Sequence, residues 1–324
     1  MSFYDVLEPG TELDSYRIDA PIAKSGMATI FRATDTRDGR TVALKIPHPD
    51  MEADPILYDR FKREAAIGER LEHPNVMRVF GDAKRSRIYM VMEWCDGHLL
   101  RKILDEGRLP RERAIKIAIQ VLKALDYIHS NGVVHRDLKP ENIMVDSNDH
   151  IKLIDFGIAG DTASRRLTYA NFTTTLGTPD YIAPEQVKGK RGDARTDLYS
   201  MGVILYEMLT GKLPFNGPSP LAAMNDRLLN HPVPPTVADS SVTPQLQEIV
   251  YRALERDPRN RYASAQQFIR DLEHPEQVGV EDRIEFRDWQ KRKSALSRKI
   301  LYYSALALIP VVILLIMVLI AHLH

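Results

Sequence analysis

A single cysteine, Cys95, in a chain of 324 residues removes two classes of explanation at once. One thiol can build neither an internal disulfide framework nor a cysteine-based zinc cage, which suits a reducing compartment. An excess of one charge is also lacking, because Lys+Arg and Asp+Glu each number 44. No global field draws the chain toward nucleic acid, so the balance argues against DNA or RNA as partners. The opening MSFYDVLEPG has neither a basic start nor an apolar run, and no signal peptide is expected there. His48 and His73 adjoin prolines without partner ligands spaced nearby, which argues against a metal-binding role for either. Internal repeats are missing too.

With 44% hydrophobic residues the chain can bury a full core, and its length fits one two-lobed domain or two ordinary ones. Charge is unevenly placed near the C-terminal end. Lys291, Arg292, Lys293, Arg298 and Lys299 stand together without an acid, and residues 300–320 then carry no charge. As a helix rising about 1.5 Å per residue, that stretch would cross a hydrocarbon layer of roughly 30 Å. Core helices of such length usually keep a polar stripe, so a transmembrane helix over 300–320 is the expectation. Pro310 would kink it, and Tyr302 and Tyr303 would sit at the interface. The basic cluster lies before the span, so the positive-inside rule puts residues 1–299 in the cytoplasm, with insertion from the tail. With only Ala321 to His324 beyond the span, a signal is expected through the cytoplasm, the bilayer or a partner helix.

Hydrophobic periodicity gives a β-rich front and a helical back. Residues 16–34 and 40–46 read as strands, with YRIDAPIAKSGMATIFRAT folding back through a glycine-containing turn. DRFKREAAIGERL, 59–71, has helical composition, with His73 and Pro74 as its stop. Two more strands are expected near 76–83 and 88–93. From Pro110 long helices take over, and 111–130 and 197–211 show apolar residues every three or four positions. Residues 212–245 are rich in proline and read as loops and short helices. Residues 273–299 lack strong periodicity and read as a juxtamembrane linker, basic at its end.

The strongest local signals are HRDLKPEN (His135 to Asn142), IDFG (Ile154 to Gly157), APE (Ala183 to Glu185) and VALK (42–45). In order and spacing they resemble the signature set of the protein kinases. The chain is most similar in this respect to the bacterial eukaryotic-like (Hanks-type) serine/threonine protein kinases, many of them membrane-tethered. The resemblance covers residues 16–272. It implies an α+β, bilobal fold, with a small β-rich N-lobe (16–94) and a larger α-helical C-lobe (95–272), followed by the single transmembrane helix. It also implies ATP and Mg²⁺ or Mn²⁺ as cofactors, protein substrates, and a place at a bacterial inner membrane.

Phosphoryl transfer asks the protein mainly to position two reactants and to neutralise phosphate charge. By resemblance, Lys45 would contact the α- and β-phosphates, and Glu64, 19 residues later, would pair with it. Asp137 would accept or orient the proton of the attacking hydroxyl. Asn142 and Asp155 would hold the metal, a donor set suited to a hard cation. Lys139 matches the serine/threonine pattern, disfavours a dedicated tyrosine kinase, and would stabilise the transferred phosphoryl group.

The glycine-rich loop departs from the family. Its three usual glycines fall at Ala23, Ser25 and Ala28, leaving Gly26 alone in IAKSGMATI. Glycines there let backbone N–H groups approach the phosphates, so a stiffer loop and reduced ATP affinity are expected. Further nucleotide contacts implied by position are Ala23, Ser25 and Gly26 in the loop, Ile30 and Ala43 over the adenine, and Met144 as its floor. The backbone of Glu93 to Cys95 would bond the base, beside Met92 as gatekeeper. Cys95 itself reads as a packing residue.

Arg136 before Asp137 is a feature of kinases activated by phosphorylation of the loop between DFG and APE. Thr168, Thr173, Thr174 and Thr175 are the candidates, with Thr173 and Thr174 favoured. Thr178 would be structural, shaping the substrate shelf. Glu185 and Arg261 match a buried ion pair, and Asp197 the residue that braces the HRD backbone. Two readings compete: an active enzyme pairing and phosphorylating itself at the membrane, and a pseudokinase scaffold there. A small-molecule kinase fits less well, since APE and a threonine-rich loop serve protein substrates in the family.

Overall fold

A computed structural model describes residues 7–81, 85–155, 179–215, 217 and 219–281, with positions 302, 304 and 308. Thr168, Thr173, Thr174, Thr175 and Thr178 lie outside the described residues, as does almost all of the expected span over 300–320. Among the described residues no helix is long and apolar enough to cross a membrane.

A six-stranded antiparallel sheet comes first, in the order β1-β2-β3-β4-β6-β5. Its strands are β1 (Glu12–Leu13), β2 (Tyr16–Lys24), β3 (Ala28–Asp35), β4 (Thr41–Pro47), β5 (Val79–Phe80) and β6 (Met90–Glu93). Side-chain alternation buries Tyr16, Ile18, Phe31, Ala33, Val42, Leu44 and Val91 in one cluster. Helices α1 (Pro49–Ala53) and α2 (Pro55–Gly68) follow β4. Phe61 of α2 packs with Met51 and Met90, which fixes the helix against the strand that ends at Glu93.

The expected helix over 59–71 therefore starts and stops earlier than its composition implies. The Asp54 carboxylate accepts from the Ile56 and Leu57 N–H groups, and Pro55 occupies the first turn, where its missing N–H costs nothing. The stop is at Gly68, ahead of His73 and Pro74; a Cβ there would lie 2.5 Å from Val79, so glycine lets the last turn pack closely onto β5. The strands near 76–83 and 88–93 are shorter than expected, at 79–80 and 90–93.

A small sheet, β7 (Gly97–Leu99), β8 (Ile143–Asp146) and β9 (Ile151–Leu153), joins the helical part. The helices are α3 (Leu100–Asp105), α4 (Arg111–Ser130), α5 (Pro184–Val187), α6 (Ala194–Thr210), α7 (Pro220–Leu229), α8 (Pro235–Ala238), α9 (Pro244–Ala253) and α10 (Ala265–Glu273). Helix α4 buries Ala114, Ile117, Val121, Leu125 and Ile128 on one stripe. Helix α6 differs, being buried from Thr196 to Thr210 with no solvent face. It starts at 194, three residues before its apolar periodicity, because Asp193 caps it by accepting from the Arg195 N–H. Gly211, at φ 66°, ends it in the left-handed region that favours glycine. Gly202 lets α9 approach, since a Cβ there would lie 2.6 Å from that of Ala253.

Glu185 and Arg261 join the two ends of this lobe. The guanidinium donates to both carboxylate oxygens at 2.8 and 2.7 Å, and Thr196 adds a third donor at 2.8 Å. Arg261 also bonds the carbonyls of Glu255, Arg195 and Arg256 and lies over the Tyr199 ring. Burial pushes the Glu185 carboxyl up, yet the Arg261 bonds and charge outweigh it and hold the group below the usual carboxylate range. The pair thus stabilises the fold above that range and fades as pH falls through the lowered value. Arg261→Met, which strands the carboxylate, is expected to cost about 3–5 kcal/mol at pH 7. Urea denaturation at pH 7 and near pH 4 checks this, and the gap to wild type should narrow in acid.

Candidate active site

The residues singled out from motifs converge where the sheet meets the helical lobe. Lys45, on β4, donates to Glu64 Oε1 of α2 at 2.8 Å and to Asp155 Oδ1 at 2.6 Å. Burial alone would lower the Lys45 pKa, but the Asp155 and Glu64 charges prevail and raise it, so the side chain is a fixed cation. Glu64 is pushed up by burial first and by Asp155 as well, against the opposing pull of Lys45. A cation between two carboxylates, one from each lobe, sets the spacing of the cleft.

Below the cleft the loop from His135 to Asn142 is held by a carboxylate from another helix. Asp197, fully buried on α6, accepts the His135 N–H at 2.9 Å and the Arg136 N–H at 2.7 Å. His129 of α4 lies 2.8 Å from the same carboxylate, and Gln186 donates to the Arg136 carbonyl at 2.9 Å. Arg136 (φ 63°) and Asp155 (φ 53°) both adopt the left-handed conformation that non-glycine residues rarely take. Such backbone persists where surrounding bonds over-determine it, here at the loop's centre and at the aspartate that meets Lys45.

Asp137 is exposed, and Lys139 Nζ reaches its Oδ2 at 2.8 Å. Asn142 donates its side-chain amide to the Asp137 carbonyl at 2.7 Å, while its backbone carbonyl accepts the Ile154 N–H. With Nδ2 committed, the Asn142 side chain offers its oxygen. The Asp155 side chain is 43% exposed, and the bond from the Ile154 N–H to the Asn142 carbonyl brings the Asp155 carboxylate and the Asn142 amide to neighbouring segments as a donor set. That donor set fits a hard cation that keeps water and phosphate oxygens as its other ligands. Among the described residues no group of three or more His, Cys, Asp or Glu side chains could hold a metal by itself.

The nucleotide candidates fall on both sides of the hinge. Ala43 pairs with Met92 across β4 and β6, and Ile30 pairs with Lys45 across β3 and β4. Met144 sits on β8 opposite Leu99. Glu93 is engaged by Lys152 at 2.6 Å and by the Arg78 N–H at 2.8 Å, which ties β6 to β9. Cys95 is half-buried, and burial pushes its thiol up, away from the reactive thiolate. The turn after Ala23 is closed by Ser25. Its Oγ accepts the Ala28 N–H at 3.1 Å and the Met27 N–H at 3.3 Å, and donates to the Ala28 carbonyl. Gly26 stands in open space, and a Cβ added there would meet nothing within 4 Å. A side-chain turn thus replaces glycine freedom in this loop.

Sequence reasoning missed several partners: His129 and Gln186 around the loop, Lys152 at the hinge, and a cluster around Tyr181. In that cluster the Tyr181 hydroxyl donates to Glu207 at 2.5 Å, and Arg101 donates to both at 3.0 and 2.8 Å. These contacts join residues 26–106 positions apart, and no local pattern announces them.

A sequence profile described as the protein kinase domain matches residues 16–272. A probable serine/threonine-protein kinase of Streptomyces coelicolor is 41% identical over 264 residues, covering 80% of this chain and 39% of the relative. Serine/threonine-protein kinase PknB of Mycolicibacterium smegmatis is 39% identical, over 80% of this chain and 42% of its own length. The chain thus spans about two fifths of the length of these curated relatives. Among solved structures, the PknI kinase domain of Mycobacterium tuberculosis aligns with a TM-score of 0.65 at 25% identity, over 83% of this chain and all of that one. Rad53 in complex with AMP-PNP aligns at 0.64 and 28%, over 79% of this chain and 64% of that one.

Replacing Asp197 strands two backbone donors. Asp197→Ala is expected to lower unfolding stability by about 2–6 kcal/mol, since each of the two unsatisfied groups costs roughly 1–3 kcal/mol. Urea denaturation measures it, and a change under about 0.5 kcal/mol would rule out the bracing role.

Proposed function

The chain belongs to the protein kinase domain family, and from that we propose that it is an ATP-dependent serine/threonine protein kinase. The observation that carries this reading is the Lys45 cation held jointly by Glu64 and Asp155, within one fold with Asp137, Lys139 and Asn142. Lys45 binds the α- and β-phosphates, and Glu64 keeps its ammonium there. Asn142 and Asp155 hold Mg²⁺ or Mn²⁺, which when bound neutralises phosphate charge. Asp137 orients the substrate hydroxyl and takes its proton as the oxygen attacks the γ-phosphorus and the bond to the β-phosphate oxygen breaks. Lys139, already 2.8 Å from Asp137, stabilises charge on the moving phosphoryl group. Ala23, Ser25, Gly26, Ile30, Ala43, Glu93, Cys95 and Met144 surround the nucleotide.

Regulation follows the same chemistry. Arg136 beside Asp137 supports activation by phosphate on Thr168, Thr173, Thr174 or Thr175, with Thr178 shaping the substrate shelf. The uncharged stretch 300–320 behind five basic residues supports a single membrane anchor with the kinase domain in the cytoplasm of a bacterial cell. Confinement to two dimensions raises effective concentration and so favours pairing and mutual phosphorylation.

The decisive experiment incubates the full chain with ATP and Mg²⁺ and follows phosphate on casein and on the chain itself. Asp137→Asn is expected to lower kcat by at least about 100-fold with nucleotide affinity retained. ATP binding without transfer by the wild type would favour a scaffold. In cells at matched expression, deleting residues 300–324 is expected to lower self-phosphorylation, and undiminished phosphate on the truncated chain would refute the pairing.

A further inference from the structure

Arg227 is the largest fully buried side chain among the described residues, 1% exposed, and no catalytic role accounts for it. A buried guanidinium has to repay a large desolvation cost, so its partners say what it is for. It lies near the end of α7, over the Phe215 ring at 5.7 Å and close to the buried Tyr199 hydroxyl of α6, and its terminal nitrogen donates to the backbone carbonyl of Asp180. Asp180 and Tyr181 belong to the short turn just before APE, and Gln186, five residues after Tyr181, bonds the carbonyl of Arg136 beside Asp137. Anchors from three helices hold this turn. Tyr181 is tied to α3 and α6 through Arg101 and Glu207, and Ser200 of α6 donates to the Tyr181 carbonyl at 2.7 Å. Arg227 reaches it from α7.

We propose that Arg227 is a positioning residue for the protein substrate: it fixes the Pro179–Tyr181 backbone from α7 and so sets how the substrate chain lies beside Asp137. This rests on the kinase reading above. The nucleotide side is held separately, by Lys45, Glu64 and Asp155, so loss of the Arg227 bond should be felt by one substrate and not by the other. A lysine at this position keeps a charged donor without the planar fork. Asp180 is also affected, because burial pushes its carboxyl up while the Arg227 charge pulls it down.

The test uses the full chain, with dephosphorylated casein and ATP varied in turn. Arg227→Gln is expected to raise KM for casein by about tenfold or more, the order of one lost hydrogen bond to a charged donor, with KM for ATP within about twofold. Arg227→Lys should recover most of that loss. Casein KM unchanged, or both KM values rising together, would overturn the proposal. If thermal melting shows that the glutamine variant does not fold, Arg227→Met, which fills the site without a donor, decides by the same split between the two KM values. Absence of ATP turnover and casein phosphorylation in the wild type would instead count against the kinase reading itself.

Discussion

The bonds that the His135 and Arg136 N–H groups donate to the Asp197 carboxylate are the constraint on which the candidate site depends. They cross about sixty residues and pull the HRD loop onto α6, a helix buried along nearly its whole length. A left-handed Arg136 is costly alone; with its N–H bonded to Asp197 and its carbonyl to Gln186, it becomes the conformation that satisfies both groups. The position of Asp137, one residue on, follows from it. Without that fixed loop, Lys139 and Asn142 would have nothing to converge upon.

The other half of the site depends on charge balance across the lobes. Two carboxylates near each other repel, and Lys45 between them makes the arrangement favourable. One contact is local to the sheet and its helix, whereas the other spans 110 residues and brings the DFG aspartate under the phosphates' expected place. The cleft is therefore defined by an ion cluster, while the apolar cores on either side supply the rigidity. The loop above it carries Ala23, Ser25 and Ala28 where the family has glycines, and the serine hydroxyl closes the turn. That exchange trades backbone freedom for a side-chain bond, the physical basis for expecting a weaker hold on phosphate.

Much of this is legible in the residues themselves. Helix α4 shows its apolar stripe over its full length, the β2–β3 hairpin shows alternation broken at Ser25 and Gly26, and motif order alone nominates Lys45, Asp137, Asn142 and Asp155. Boundaries are harder. Helix α2 begins at Pro55 because Asp54 caps it, a local signal that composition alone overlooks, whereas the close approach of Gly68 to Val79 at its end is a contact no short window of sequence reveals. The short β7–β8–β9 sheet is equally hidden, since its strands of three or four residues acquire meaning only beside one another.

By itself the sequence determined the chemistry on offer: which acids, amides and lysines exist, in what order, and on which kind of local element, because periodicity and spacing act within a few turns of chain. Tertiary structure alone decided the partnerships that no motif implies. That Lys45 meets Asp155 as well as Glu64, that Glu93 is tied to Lys152, and that a fully buried Arg227 grips the Asp180 backbone are facts of distance in space. Burial and long-range hydrogen bonding are collective properties of the packed chain, and no residue carries them until the fold has brought its partner within reach.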